Sequence, residues 1–153
     1  MPRIHERRTL PYRPGELFDL VADVERYPEF IGWCEDLTVT ARKTEGAREI
    51  LTARMTAHVK MFREQLLCRV TLDRPAARIE VRYLDGPFRH LDNVWQFEGP
   101  EEGPTTIDFR IDFEFAGLQL RLLAAPFMGE ISDRLVRTFL RRADALYGAP
   151  SLV

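Results

Sequence analysis

The chain has 153 residues, 45% of them hydrophobic and 30% charged, with a formal net charge of −2, totals that fit one globular domain and exclude a disordered or fibrous polypeptide. That balance gives no basic footprint for DNA, and two cysteines, Cys34 and Cys68, are too few for a disulfide framework. No apolar run approaches the roughly 18 residues of a membrane span, and Met1 to Leu10 is too polar for a secretory signal, so the expected setting is a reducing cytoplasm with both thiols free.

No repeat, low-complexity tract or long linker divides the chain, and residues 1–153 are expected to form a single domain. Residues 3–11 predict a short strand with Ile4 and Leu10 on one parity, ended by Pro11 and Pro14. Pro14 suits the first turn of a helix. Leu17, Phe18, Val21 and Val24 recur at helical spacing, which predicts an amphipathic helix over about 14–24. The stretch ERYPEFIGWCEDL, 25–37, then crowds Tyr27, Phe30, Ile31 and Trp33 into an irregular or helical turn broken at Pro28. So many rings at a turn raise the question of whether they are core, lid or partner surface.

From Asp36 to Phe115 the apolar period becomes two. Leu37, Val39 and Ala41 alternate as far as the turn signal at 44–46, and Leu51, Ala53, Met55, Ala57 and Val59 follow. Leu66, Cys68, Val70 and Leu72 alternate next, then Ile79, Val81 and Tyr83, then Leu91, Asn93, Trp95 and Phe97. The clearest strand is TTIDFRIDFEF, where Ile107, Phe109, Ile111, Phe113 and Phe115 oppose Asp108, Arg110, Asp112 and Glu114. Such alternation requires an antiparallel sheet with one wet and one dry face. From about Leu118 to Tyr147 the period is helical again: Ile131, Leu135, Phe139, Ala143 and Leu146 share one side, and Pro126 should break or kink the helix. The expected fold class is α+β, a curved antiparallel sheet of six or seven strands wrapped around a long C-terminal helix.

The inner parity mixes small side chains (Ala53, Ala57, Cys68) with large rings (Tyr83, Trp95, Phe97, Phe109, Phe113). This is either close interdigitation in a core or the wall of an elongated apolar cavity. Trp95 carries an N–H that needs a partner when buried. Asn93, on the same row, either closes a hydrogen bond of the fold or presents a polar group to a ligand. Residues for catalysis are harder to find. His5, His58 and His90 read as solvent-facing, and Cys34 and Cys68 lack metal-ligand or redox spacing. Cys68 lies in an apolar row, where a thiol acts as a small hydrophobe. No GxGxxG or GxxxxGK[ST] cradles a phosphate, and Asp108, Asp112 and Glu114 read as a solvated charge ladder with Arg110. The stretch 116–131, with Leu118, Leu120, Leu122, Leu123, Phe127 and Met128 around Arg121, is either the packed start of the last helix or a movable cover that touches a bilayer surface.

The segments VADVERYPEFIGWC (21–34), GPF (86–88), NVWQFEG (93–99), IDFRIDFEF (107–115) and RADALYG (142–148) span nearly the whole chain. Together they resemble the helix-grip, START-like superfamily, and within it the coenzyme Q-binding protein Coq10 family, whose bacterial branch includes proteins described as ribosome association toxins. One departure is Gly32, where the family has a proline before the Trp-Cys pair. The resemblance implies a non-enzymatic carrier with no catalytic or metal-binding residue and no cofactor, in which ubiquinone or another polyprenyl quinone is a bound ligand that supports respiration. Tyr27, Phe30 and Trp33 would flank the mouth of its tunnel. Met55, Phe88, Leu91, Asn93, Trp95, Phe97, Phe109 and Phe113 would line it from the sheet, and Phe127, Ile131 and Leu135 from the helix. Asn93, Trp95 and Tyr27 would orient the head group. The implied partners are the quinone and, transiently, a membrane surface, with the protein peripheral on the inner face of the cytoplasmic membrane. The alternative is a toxin that binds the ribosome and blocks subunit association through the Arg134, Arg137, Arg141 and Arg142 side of the last helix, although Glu130, Asp133 and Asp144 dilute that face. A weaker third reading is an enzyme acting on an apolar aromatic substrate in the same pocket.

Overall fold

The computed structural model describes residues 3–59 and 62–148, with the side chains of Val59, Ala124 and 127–133 outside that description. The alternating segments form β1 (Arg3–Leu10), β2 (Cys34–Glu45), β3 (Arg48–Val59), β4 (Phe62–Asp73), β5 (Arg78–Asp85), β6 (Phe88–Glu98) and β7 (Thr105–Phe115). These seven strands make one sheet in the order β1-β7-β6-β5-β4-β3-β2, antiparallel throughout. Hairpins connect β2 through β7, and β1 closes the far edge against β7. The helices are α1 (Pro14–Ala22), α2 (Tyr27–Phe30), α3 (Leu118–Ala124) and α4 (Met128–Tyr147).

Register sets the dry face. Trp95 lies opposite Ile79 on one side and Phe109 on the other, and Asn93 lies opposite Val81 and Ile111. Leu51, Ala53, Cys68, Val70, Ile79, Trp95, Phe97, Phe109 and Phe113 are buried on it, as the alternation predicts. The expected parity fails at Ala41. A bulge between Val39 and Ala41 shifts the pairing, turns Ala41 outward and sets Arg42 opposite the buried Leu51.

Helix α1 starts where Pro14 predicts. The Arg13 N–H donates to Glu16 Oε1 at 3.1 Å, and Leu17, Phe18, Leu20 and Val21 form its buried stripe. It stops at Ala22, and Val24–Arg26 continue as a 3₁₀ turn. At the other end of the chain Pro126 lies in a 3₁₀ turn, Ala125–Phe127, which parts α3 from α4. Proline lacks the N–H that a continuous helix needs there. Along α4, Phe139 and Ala143 are buried and Leu135 is half-buried, but Leu146 is 49% exposed rather than core.

Two glycines separate backbone need from tolerance. Gly86 holds φ +141°, and a Cβ there would lie 2.9 Å from the Gln65 carbonyl oxygen, so the β5–β6 turn is pressed against β4. Gly32 has nothing within 4 Å of an added Cβ and lies outside the left-handed region, so the turn before Trp33 does not depend on glycine. Gly86→Ala should therefore lower stability by roughly 1–3 kcal/mol while Gly32→Ala stays within about 0.5 kcal/mol, both read from urea midpoints.

Candidate ligand groove

Phe139 of α4 stands at the centre of the concave side. Its ring meets Tyr27 at 5.4 Å, Phe30 at 5.5 Å and Trp95 at 4.9 Å between centroids, all near edge-on. Trp95 continues to Phe109 at 4.6 Å and Phe97 at 6.3 Å, and Phe97 to Phe18 of α1 at 5.9 Å. The rings of α2 therefore clamp the last helix to the sheet. Arg142 strengthens the clamp from outside: its guanidinium lies 4.9 Å over the Phe30 ring, and it donates to Glu29 at 3.4 Å. Trp33 and Leu135 are half-buried against the same core, and the Trp33 carbonyl accepts the His58 N–H at 2.8 Å.

A second aromatic group lies towards the β6–β7 end that leads into α3. Phe88 stacks on Phe115 at 4.8 Å and meets Tyr83 at 5.6 Å and Phe113 at 5.9 Å edge-on. The Tyr83 hydroxyl accepts the Phe88 N–H at 3.1 Å. Leu91 is half-buried opposite Phe113, and Met55 is half-buried between Leu37 and Leu66 on the neighbouring strands. The side chains of Phe127 and Ile131 lie outside the described residues.

The polar groups expected to orient a head group are engaged within the protein. The Trp95 indole N–H donates to Asn93 Oδ1 at 2.9 Å, and Asn93 Nδ2 donates to the Arg110 carbonyl at 2.8 Å. The Tyr27 hydroxyl donates to the Val21 carbonyl, and burial pushes its pKa well above the usual tyrosine value. Of the two readings of Asn93, the structure carries the first: it closes a hydrogen bond of the fold.

A cavity of about 20 Å³ remains between sheet and helix, lined by Glu6, Arg8, Trp95, Ile107, Phe109, Val136, Phe139 and Leu140, room for about one water. A wider depression of about 130 Å³ opens between α1 and the end of α4, where Asp19, Asp23, Arg26 and Arg142 make it charged. Sequence reasoning passed over Glu6 and Arg8. Their signal was available, since they share the parity of Ile4 and Leu10 on β1.

The convex face corrects a second expectation. Asp108 is 7% exposed, not solvated. It accepts from His5 at 2.9 Å, Arg7 at 2.5 Å and Arg110 at 3.2 Å. His90 is half-buried beside Asp112 at 3.2 Å, whereas His58 is exposed as expected. Burial raises the Asp108 pKa, but hydrogen bonds from Arg110, Arg7 and His5 outweigh it and leave the carboxyl below its ordinary value. Both thiols are buried, and desolvation pushes each up to about 11. Helix α3 leaves Leu118 64%, Leu122 65% and Leu123 44% exposed, while Arg121 donates to Glu114 at 3.0 Å. Leu118, Leu122 and Leu123 therefore face outward, Leu120 is half-buried, and the cation is tied to the sheet.

Family comparison matches residues 10–140 to the family described as polyketide cyclase/dehydrase and lipid transport. The ribosome association toxin RatA of Pseudomonas aeruginosa is 33% identical over 145 residues, 95% of this chain and 97% of that protein. The mitochondrial coenzyme Q-binding protein COQ10 homolog B of Xenopus laevis is 29% identical over 147 residues, 94% of this chain and 58% of that longer protein. An 18 kDa protein of Caulobacter crescentus, solved in solution, shares the fold at TM-score 0.78 and 33% identity, over 97% of this chain and 100% of that one. The Zhui aromatase/cyclase of a Streptomyces species aligns at TM-score 0.76 and 15% identity, over 94% of this chain and 93% of that one, a likeness of fold alone. The chain belongs to the polyketide cyclase/dehydrase and lipid transport family, in the group that holds the coenzyme Q-binding and ribosome association toxin proteins.

Two outcomes follow from the charges and thiols. Asp108 has a folded pKa below its unfolded 3.8, so its stabilisation is present above that value and is lost as pH falls through the folded pKa. Asp108→Asn should lose roughly 2 kcal/mol at pH 7 and show a shallower stability loss below about pH 4, measured by chemical denaturation across pH. With thiol values raised from 9.0 to about 11, alkylation by iodoacetamide at pH 8 should run on the order of 100-fold slower in the native protein than in urea.

Proposed function

We propose that this member of the polyketide cyclase/dehydrase and lipid transport family binds a polyprenyl quinone between the sheet and α4 and carries it as a non-catalytic chaperone for respiratory electron transport. The observation that supports this most is the concave aromatic face, from Trp95 and Phe109 to Phe113 and Phe88, together with an α3 that presents Leu118 and Leu122 to the outside. The family description includes lipid transport, and a relative is named for coenzyme Q binding.

The groove as it stands holds about one water, so loading parts α3 and the start of α4 from the sheet. Burial of the isoprenoid tail supplies the energy, at roughly 0.8 kcal/mol per methylene. The outward leucines give the moving segment a place to rest at a bilayer surface, where the ligand is drawn from lipid. Among the described residues no helix is long and apolar enough to cross a membrane, so that contact is peripheral.

A second reading, association with the ribosome to block subunit joining, is supported by the name of the RatA relative and by the exposed side of α4 at Arg134, Arg137 and Arg141. Arg142 no longer belongs to that face, because it is half-buried over Phe30.

Mass spectrometry of an organic extract of the protein, purified from a quinone-producing host, tests the first reading. Near-stoichiometric polyprenyl quinone is expected, and replacing Leu118 and Leu122 by Ser should slow transfer of quinone between vesicles several-fold while retaining the fold. An empty extract with no uptake of added quinone overturns this reading. Growth arrest on overproduction, with separated ribosomal subunits in a sucrose gradient, would favour the second.

A further inference from the structure

The inner row of β1 reads Ile4, Glu6, Arg8, Leu10, lying opposite Ile111, Phe109, Ile107 and Thr105 of β7. Its two middle residues are charged on the face that should be dry. Arg8 Nη2 lies 3.1 Å from Glu6 Oε2, with the side chains 50% and 29% exposed. A half-exposed pair of this kind contributes little to folding, so it is free to exchange partners. Both residues line the small cavity whose other walls include Trp95, Phe109 and Phe139. The remaining polar groups nearby, Trp95, Asn93 and Tyr27, already have partners inside the fold. Charged groups turned inward on an edge strand also deter edge-to-edge pairing, a role for which any polar side chain suffices.

We propose that Glu6 and Arg8 form the polar subsite for the oxygen-bearing ring of the ligand, an inference that rests on the carrier reading above. Arg8 donates to a ring carbonyl of the oxidised form, and its guanidinium carries more N–H groups than the pair with Glu6 uses. Glu6 accepts from a ring hydroxyl of the reduced form. Loading widens the small cavity as α3 and the start of α4 part from the sheet, and the ring then lies against Trp95 and Phe109 within reach of Arg8 and Glu6 while the tail runs along the groove. One ion pair thereby serves both redox states of the same ring.

Equilibrium dialysis with a dimethoxybenzoquinone bearing a short isoprene tail, in its oxidised and its dithionite-reduced forms, tests the assignment. Arg8→Gln keeps the edge polar and is expected to weaken the oxidised form about ten-fold while changing the reduced form less. Glu6→Gln is expected to do the reverse. Unchanged melting temperatures in both variants separate a binding effect from a folding one. Equal loss of both forms in both variants, or no loss in either, overturns the subsite while leaving the carrier reading in place. Failure of the wild-type protein to retain either form removes the carrier reading and the subsite with it.

Discussion

The seat of the last helix on the sheet is centred on one ring. Phe139 reaches Trp95 below and Tyr27 and Phe30 beside it, and each such edge-on contact contributes about 0.5–1.5 kcal/mol beyond its buried area. Nothing covalent ties α4 down, and β2 through β7 complete their ladders without it. The turn at 25–37, whose aromatic density stands out in the sequence, is the other half of this clamp. Its rings are core. They decide where the C-terminal helix lies and hence what the concave face encloses.

Further contacts hold the end of the helix. Its second half carries Phe139, Ala143 and Tyr147, whose hydroxyl donates to the Glu16 carbonyl at 2.9 Å. The segment leading into it carries outward leucines, a positive-φ Gly117 and a proline turn. The fold it shares with an aromatase/cyclase is neutral on chemistry. What distinguishes such proteins is which polar groups reach the concave side, and in this chain those of the apolar wall are paired with one another.

Much of this was legible in the order of residues. Period-two alternation gave the strands and their dry face, Pro14 gave the start of α1, and Pro126 marked the interruption between α3 and α4. The misses share a cause: they are set by neighbours distant in sequence. Ala41 turned outward because of a bulge that only the pairing with β3 defines. Asp108 became buried because His5 and Arg7 arrive from a strand more than a hundred residues earlier. Asn93 could be assigned to the fold only once the Arg110 carbonyl lay beside it. Glu6 and Arg8 alternated in plain view, but a charge on the inner parity of an edge strand gains its meaning from the rings across the groove.

The clasp between Tyr147 and the start of α1 also joins parts of the chain far apart in sequence. Tyr12 and Tyr147 rings lie 6.0 Å apart, so the link between β1 and α1 meets the end of α4, and closing a loop of that length carries a large entropic cost. A chain opened at this clasp would leave the aromatic face of the sheet without the cover that α4 supplies.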